Sequence, residues 1–203
     1  MKTTSLRSVI LVSDFVMFQA YEAVGQVSPP KQSAKQAVMS DARFVAKNIE
    51  DNEFMMALCR RGAERGTDSR LKELADQMLS DHSGMLYSLQ QLASAGTGSS
   101  GGTTAAGPED NEAQQAIGKL SGLGGEQFDT TWVSSVLKIQ QARYDELTLA
   151  KQTVSNSQLK TAVTEAASVI RKQLTKLKSL QKALARAIIQ RQKEEALKNK
   201  NNR

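Results

Sequence analysis

Leu71, Leu74, Met78, His82, Met85, Leu89 and Leu92 recur at steps of three and four without a break. That spacing returns to one side of an α-helix, so this stretch folds as a helix with one buried stripe. Three further stretches repeat the pattern. Phe44, Val45, Ile49, Met56, Cys59 and Ala63 form the first stripe. Phe128, Trp132, Val136, Ile139, Gln140, Tyr144, Leu147 and Val154 form the third. Leu159, Val163, Ala166, Ile170, Gln173, Leu177, Leu180, Leu184 and Ile188 form the fourth. No alternating β-branched run bounded by turns is present, and only 3 prolines occur in 203 residues, so strands are not expected.

The ends are marked by local chemistry. Ser40 is a suitable N-cap for the first helix, with Asp41 in the first turn where the helix dipole favours an anion. Gly62 and Gly66 mark its end, and Thr67 or Asp68 caps the second helix. Residues 96–107 are Gly/Ser/Thr-rich and read as a loop; no strand precedes them and no GK[ST] follows, so they do not form a phosphate cradle. Pro108 opens a short helix to about Lys119, which Ser121 to Gly125 break. Ser155 and Gln158 are spaced as a capping box for the last helix. Short connectors make each pair of long helices an antiparallel hairpin, and the longer middle connection carries the chain across. The expectation is an all-α, ferritin-like antiparallel four-helix bundle over residues 40–189 with an extended basic C-terminal helix and a basic tail at 190–203.

The N-terminus has the organisation of an export signal. Lys2 and Arg7 precede a short apolar run from Val9 to Phe18, interrupted by Asp14, and Ala23-Val24-Gly25 supplies small residues before a cut ahead of Gln26. Residues 1–25 are expected to be removed, and 26–39, with Pro29-Pro30, to act as a flexible linker. The single cysteine, Cys59, cannot form an intramolecular disulfide and reads as a small core residue.

His82, Gln140 and Gln173 are polar residues on stripes that should be buried. Inward polar positions of helix bundles are where metal ligands sit. His82 is the only histidine in the chain, and no Glu-x-x-His exists. Two amides with one imidazole are a poor set for a hard or borderline cation, so His82 is the sole metal candidate and no cofactor is expected. The alternative is a hydrogen-bonded polar core layer of His82, Gln140 and Gln173, in which the amides serve either imidazole tautomer. Asp81 reads as solvent-facing, Asp129 as a cap at its own helix start, and Trp132 and Tyr144 as core. One histidine cannot assemble a nucleophilic triad, so no catalytic residue is assigned.

Residues 171–203 hold 11 of the 27 Lys and Arg and 2 of the 21 Asp and Glu, a net of +9 that leaves −3 for the rest. Arg171, Lys172, Lys176, Lys178, Lys182, Arg186, Arg191 and Lys193 could attract an anionic envelope polymer or membrane surface, in a salt-sensitive way. The arm has no aromatic platforms for bases, which disfavours nucleic acid.

Asp41 to Val45, Met78 to His82, Gly125 to Asp129 with Trp132, and Leu159-Lys160 before a Leu-rich helix appear in the order seen in a known bacterial family. On these residues the chain resembles the family called domain of unknown function 4142, over about 40–184. The resemblance implies an exported protein with a ferritin-like bundle and no settled activity. It further implies an inward Glu on the first helix and one His on each of the other three. Those positions fall at Met55, His82, Gln140 and Gln173, so this chain retains only His82. Three functional expectations follow: a non-enzymatic envelope protein with a structural or binding role, a ferritin-like metal-binding protein with a degenerate site at His82, or a polyanion- or membrane-binding module acting through the basic helix.

Overall fold

The computed structural model of the protein describes residues 39–97 and 108–201. The expected export signal, most of the linker and most of the Gly/Ser/Thr loop lie outside the described residues. Within them the chain is all-α: α1 (Asp41–Arg65), α2 (Ser69–Leu92), α3 (Pro108–Ser121), α4 (Gly125–Thr153) and α5 (Ser157–Asn201), with a short π-helical turn (Ala93–Thr97) closing α2. No described helix is both long and apolar enough to cross a membrane. α1 packs along α2 and α4 along α5, each pair joined by a short connector, and α2 against α5 joins the two pairs.

The caps are shared between elements. Ser40 caps α1 as expected, its Oγ accepting from Arg43 N at 3.3 Å, and Asp68 caps α2 by accepting from Arg70 N at 2.9 Å. Asp129 does not cap its own helix. Its buried carboxylate reaches the α1–α2 turn and accepts from Thr67 N (2.9 Å), Thr67 Oγ1 (2.6 Å) and Asp68 N (2.9 Å). The capping box expected at Ser155 and Gln158 is also replaced. Asn156 caps α5 through Leu159 N at 2.9 Å, while Ser155 Oγ donates to Asp41 at 2.7 Å and Asn156 N donates to it at 2.8 Å. In both places a carboxylate near a helix start finds backbone donors at a neighbouring helix start, which local spacing cannot reveal.

The inward face of α1 differs from the expected stripe. Phe44, Asn48, Asn52, Met55, Cys59 and Gly62 are buried, whereas Ile49, Met56 and Ala63 are only partly so. An apolar-only stripe skips Asn48 and Asn52. The structure buries both because each amide Nδ2 donates back to a carbonyl four residues earlier, Phe44 O at 2.8 Å and Asn48 O at 2.7 Å. Gly62 lies inside α1 rather than at its end. A Cβ there would sit 2.6 Å from the Trp132 ring, whose Nε1 donates to Leu58 O at 2.8 Å. The missing side chain is what lets the indole lie against the α1 backbone.

The core has two apolar halves. One gathers Met55, Cys59, Leu71, Met78, Trp132 and Leu177; the other gathers Phe44, Leu89, Leu147, Val163, Ala167 and Ile170. α3 sits on the first half through Leu120, and Arg65 fastens its end by donating to Leu120 O (3.1 Å) and Leu123 O (2.5 Å) while lying over the Phe128 ring. α5 has 45 residues against 29 in α4, and at 1.5 Å per residue the surplus is roughly 24 Å of helix. Residues 190–201, read from sequence as a tail, are therefore helical.

Candidate functional site

Each long helix contributes a polar side chain to the bonds between the two apolar halves: Asn52 from α1, His82 from α2, Gln140 from α4 and Gln173 from α5. In each helix it stands between residues of one half and residues of the other, as Gln140 does between Val136 and Leu147. His82 is 3% exposed and Gln140 0%. His82 Nδ1 lies 2.8 Å from Asn52 Oδ1, and His82 Nε2 lies 3.0 Å from Gln140 Nε2. Gln140 Nε2 donates to Gln173 Oε1 at 2.6 Å, and Gln173 Nε2 donates to Asp81 Oδ2 at 2.9 Å.

The partners settle the proton's place. Asn52 presents an oxygen, so Nδ1 carries the hydrogen and donates; Gln140 presents an amide nitrogen, so Nε2 is bare and accepts. His82 is thus neutral, with both nitrogens engaged. Burial pushes its pKa down from 6.5 to about 4; the nearby Arg143 charge acts in the same direction, against a smaller upward effect of Gln173. Both bonds of the Gln140 amide run through Nε2, and its Oε1 is buried with no partner.

At the α1 end, Arg143 donates to Asn48 Oδ1 (2.8 Å), Glu146 (3.0 Å) and Asp51, while Lys47 donates to Asp51 (2.9 Å) and Glu146 (3.2 Å). Two cations and two carboxylates neutralise one another beside the layer. At the other end Asp81 departs from its expected solvent-facing role. It is partly buried at the α2–α5 seam, where it can accept from Gln173.

The structure therefore brings together the expected His82, Gln140 and Gln173, and adds Asn52, Asn48 and Asp81. The position matching the family's first-helix Glu, Met55, lies in the apolar half of the core; the α1 side chain that reaches His82 is Asn52. A signal for it was present, because 44, 48, 52, 55, 59 and 62 also step by three and four. The layer is a poor fit to a metal ion. Its one imidazole has no free lone pair, its amides are neutral, and its single carboxylate, Asp81, is bonded to Gln173 rather than facing the imidazole. Among the described residues no three His, Cys, Asp or Glu side chains gather where they could share an ion. Cys59 is no nucleophile either, since burial pushes its thiol up to about 12. The basic residues Arg171, Lys172, Lys176, Lys178, Lys182, Arg186, Arg191 and Lys193 are all exposed along α5; Arg191 pairs with Glu126.

Residues 26–180 match the family model described as Domain of unknown function (DUF4142). The chain belongs to that family. Membership agrees with the resemblance carried by the Met78 to His82 and Gly125 to Trp132 segments. Among solved structures, the crystal structure of a DUF305 fragment from Deinococcus radiodurans matches with a TM-score of 0.62, covering 72% of this chain and 96% of that one at 11% identity. At that identity the likeness concerns the fold alone. No curated protein matches this DUF4142 chain.

Proposed function

We propose that this DUF4142 protein is an exported, non-enzymatic bundle protein of the bacterial cell envelope, with a structural or binding role. In this reading it is a ferritin-like antiparallel four-helix bundle whose inward site has become a hydrogen-bonded layer. The observation that carries the reading is the engagement of both His82 nitrogens by amides, Asn52 and Gln140, on two other helices. A ligand needs a free imidazole lone pair, and a general base needs one facing substrate. The Lys2 and Arg7 start, the apolar run from Val9 to Phe18 and the small residues Ala23 and Gly25 support export. Titration of the purified protein with Fe(II), Mn(II) and Zn(II), followed by elemental analysis, tests the reading. The expected outcome is no stoichiometric metal. One metal per chain, lost in His82→Ala, would restore the degenerate metal site.

The exposed basic face of α5 favours one added role, attraction to an anionic polymer or membrane surface. Replacing Lys178, Lys182, Arg186 and Lys193 with Gln should then weaken retention on phosphatidylglycerol vesicles or heparin at low salt, with little retention of either form at high salt. Equal retention of the two forms at low salt would dismiss it.

A further inference from the structure

Above the polar layer, on the side of the second apolar half, the seam between α2 and α5 stays open. Ser80, Gly84 and Ser88 stand one turn apart on α2 and face a stretch of α5 that includes Ala162 and Ala166. A Cβ at Gly84 would meet nothing within 4 Å. Where Leu74 and Met78 meet the level of Leu177 and Leu180, the side chains are large and buried. The run of small residues leaves a cleft of about 440 Å³ reaching all four long helices. That volume falls within the range of small-molecule sites, which are mostly apolar with a few convergent polar groups. Phe44, Leu89, Leu147, Val163 and Ile170 supply the apolar wall.

Charge at the cleft selects among occupants. Arg143 reaches it, but its guanidinium is taken by Asp51, Glu146 and Asn48, which leaves little to offer an anion. Asp81 and Glu165 also border it. Neither has a cation within ion-pair distance among the described residues, and Asp81 has one hydrogen-bond donor, Gln173. Lys172 and Lys176 line a separate depression across Asp81 and Val169, where Lys176 donates to Gln77 Oε1 at 2.5 Å. We propose that the cleft binds a small amphipathic cation, its apolar body against Phe44, Leu89, Leu147, Val163 and Ile170 and its ammonium group at the Asp81 carboxylate with Glu165 nearby. His82 itself does not line the cleft, so metal binding at His82 and cation binding here are read by separate experiments.

Calorimetric titration of the full chain with octylammonium and with octanoate, both below micelle-forming concentration, tests the proposal. Octylammonium should bind once per chain, and at least about fivefold more tightly than octanoate, the factor expected for one near-solvent ion pair. At Gly84 an added Cβ has open space, so Gly84→Leu should extend into the opening and abolish binding of both probes while the thermal midpoint stays at or above that of the parent. Asp81→Asn keeps an acceptor for Gln173 and should remove the preference between the probes. Absence of binding, equal or reversed preference in the parent, or undiminished binding in folded Gly84→Leu would overturn the proposal.

Discussion

His82 is held as a neutral ring by a donor on one side and an acceptor on the other, and its acidity has a consequence for stability. Its folded pKa of about 4 lies below the ordinary 6.5, so the unfolded chain takes up the proton first as pH falls. Its contribution is full above pH 6.5 and is lost as the pH drops toward 4. The span corresponds to roughly 3 kcal/mol. Denaturant unfolding at pH 7 and pH 4 should show this loss in the parent and a correspondingly smaller one in His82→Gln, which keeps an amide donor and acceptor but does not titrate. Equal losses in the two would mean that His82 is not the acid-sensitive group. Gln140 has the opposite character: its Nε2 serves two acceptors, yet its own oxygen is left without a partner. That oxygen is a local cost of about 1–3 kcal/mol which the two bonds through Nε2 offset.

Helix ends and one close approach decide how the elements meet. Asp129 ties the start of α4 to the α1–α2 turn through three bonds from backbone and hydroxyl donors. Asp129→Ala leaves the Thr67 and Asp68 N–H groups and the Thr67 hydroxyl without their acceptor at a partly buried turn, and should cost roughly 1–3 kcal/mol, read from the shift in denaturation midpoint. Asp129→Asn should recover part of that, since one carbonyl oxygen remains. The Gly62 contact works by shape rather than by charge. Gly62→Ala brings a methyl to 2.6 Å from the Trp132 ring, so the indole must move and its bond to Leu58 O must stretch. Helix propensity favours Ala over Gly by about 1 kcal/mol, but overpacking costs about 1–3 kcal/mol. A net destabilisation is expected, accompanied by a change in Trp132 fluorescence. A stabilised Gly62→Ala protein with an unchanged spectrum would show that the ring is not confined there.

The described bundle is two apolar cores joined across one polar layer, to which every long helix contributes. Such a layer sets register, because sliding a helix by one turn would bury an amide against leucines and strand its partners. Replacing Asn52, His82, Gln140 and Gln173 together with Leu should therefore leave stability unchanged or raised, as removal of a complete buried polar set often does. It should also broaden side-chain NMR signals through loss of a unique packing. Gln140→Leu alone should cost about 2–4 kcal/mol, since His82 Nε2 and Gln173 Oε1 would lose their donor. If the fourfold variant were both stable and sharply resolved, the layer would have no part in specifying register.

Periodicity alone was enough to identify the four long helices, the break at Ser121 to Gly125 and the inward placement of His82, Gln140 and Gln173. Apolar spacing at three and four residues is a local property, and burial follows from it whatever the neighbours are. An apolar pattern passes over Asn48 and Asn52 because an asparagine is polar in composition and satisfied only by context; here the context is the α1 backbone and the His82 ring. Caps divided in the same way. Ser40 and Asp68 act within three residues and were legible, whereas Asp41 and Asp129 serve turns more than sixty and more than one hundred residues away in one order or the other, and no window on the chain contains both ends. The tautomer of His82, the seam position of Asp81 and the cleft beside Gly84 are likewise relations between helices. The chain's own pattern determined which faces turn inward; tertiary packing alone decided which polar groups meet there, because a hydrogen bond depends on both partners and hydrophobic burial on only one.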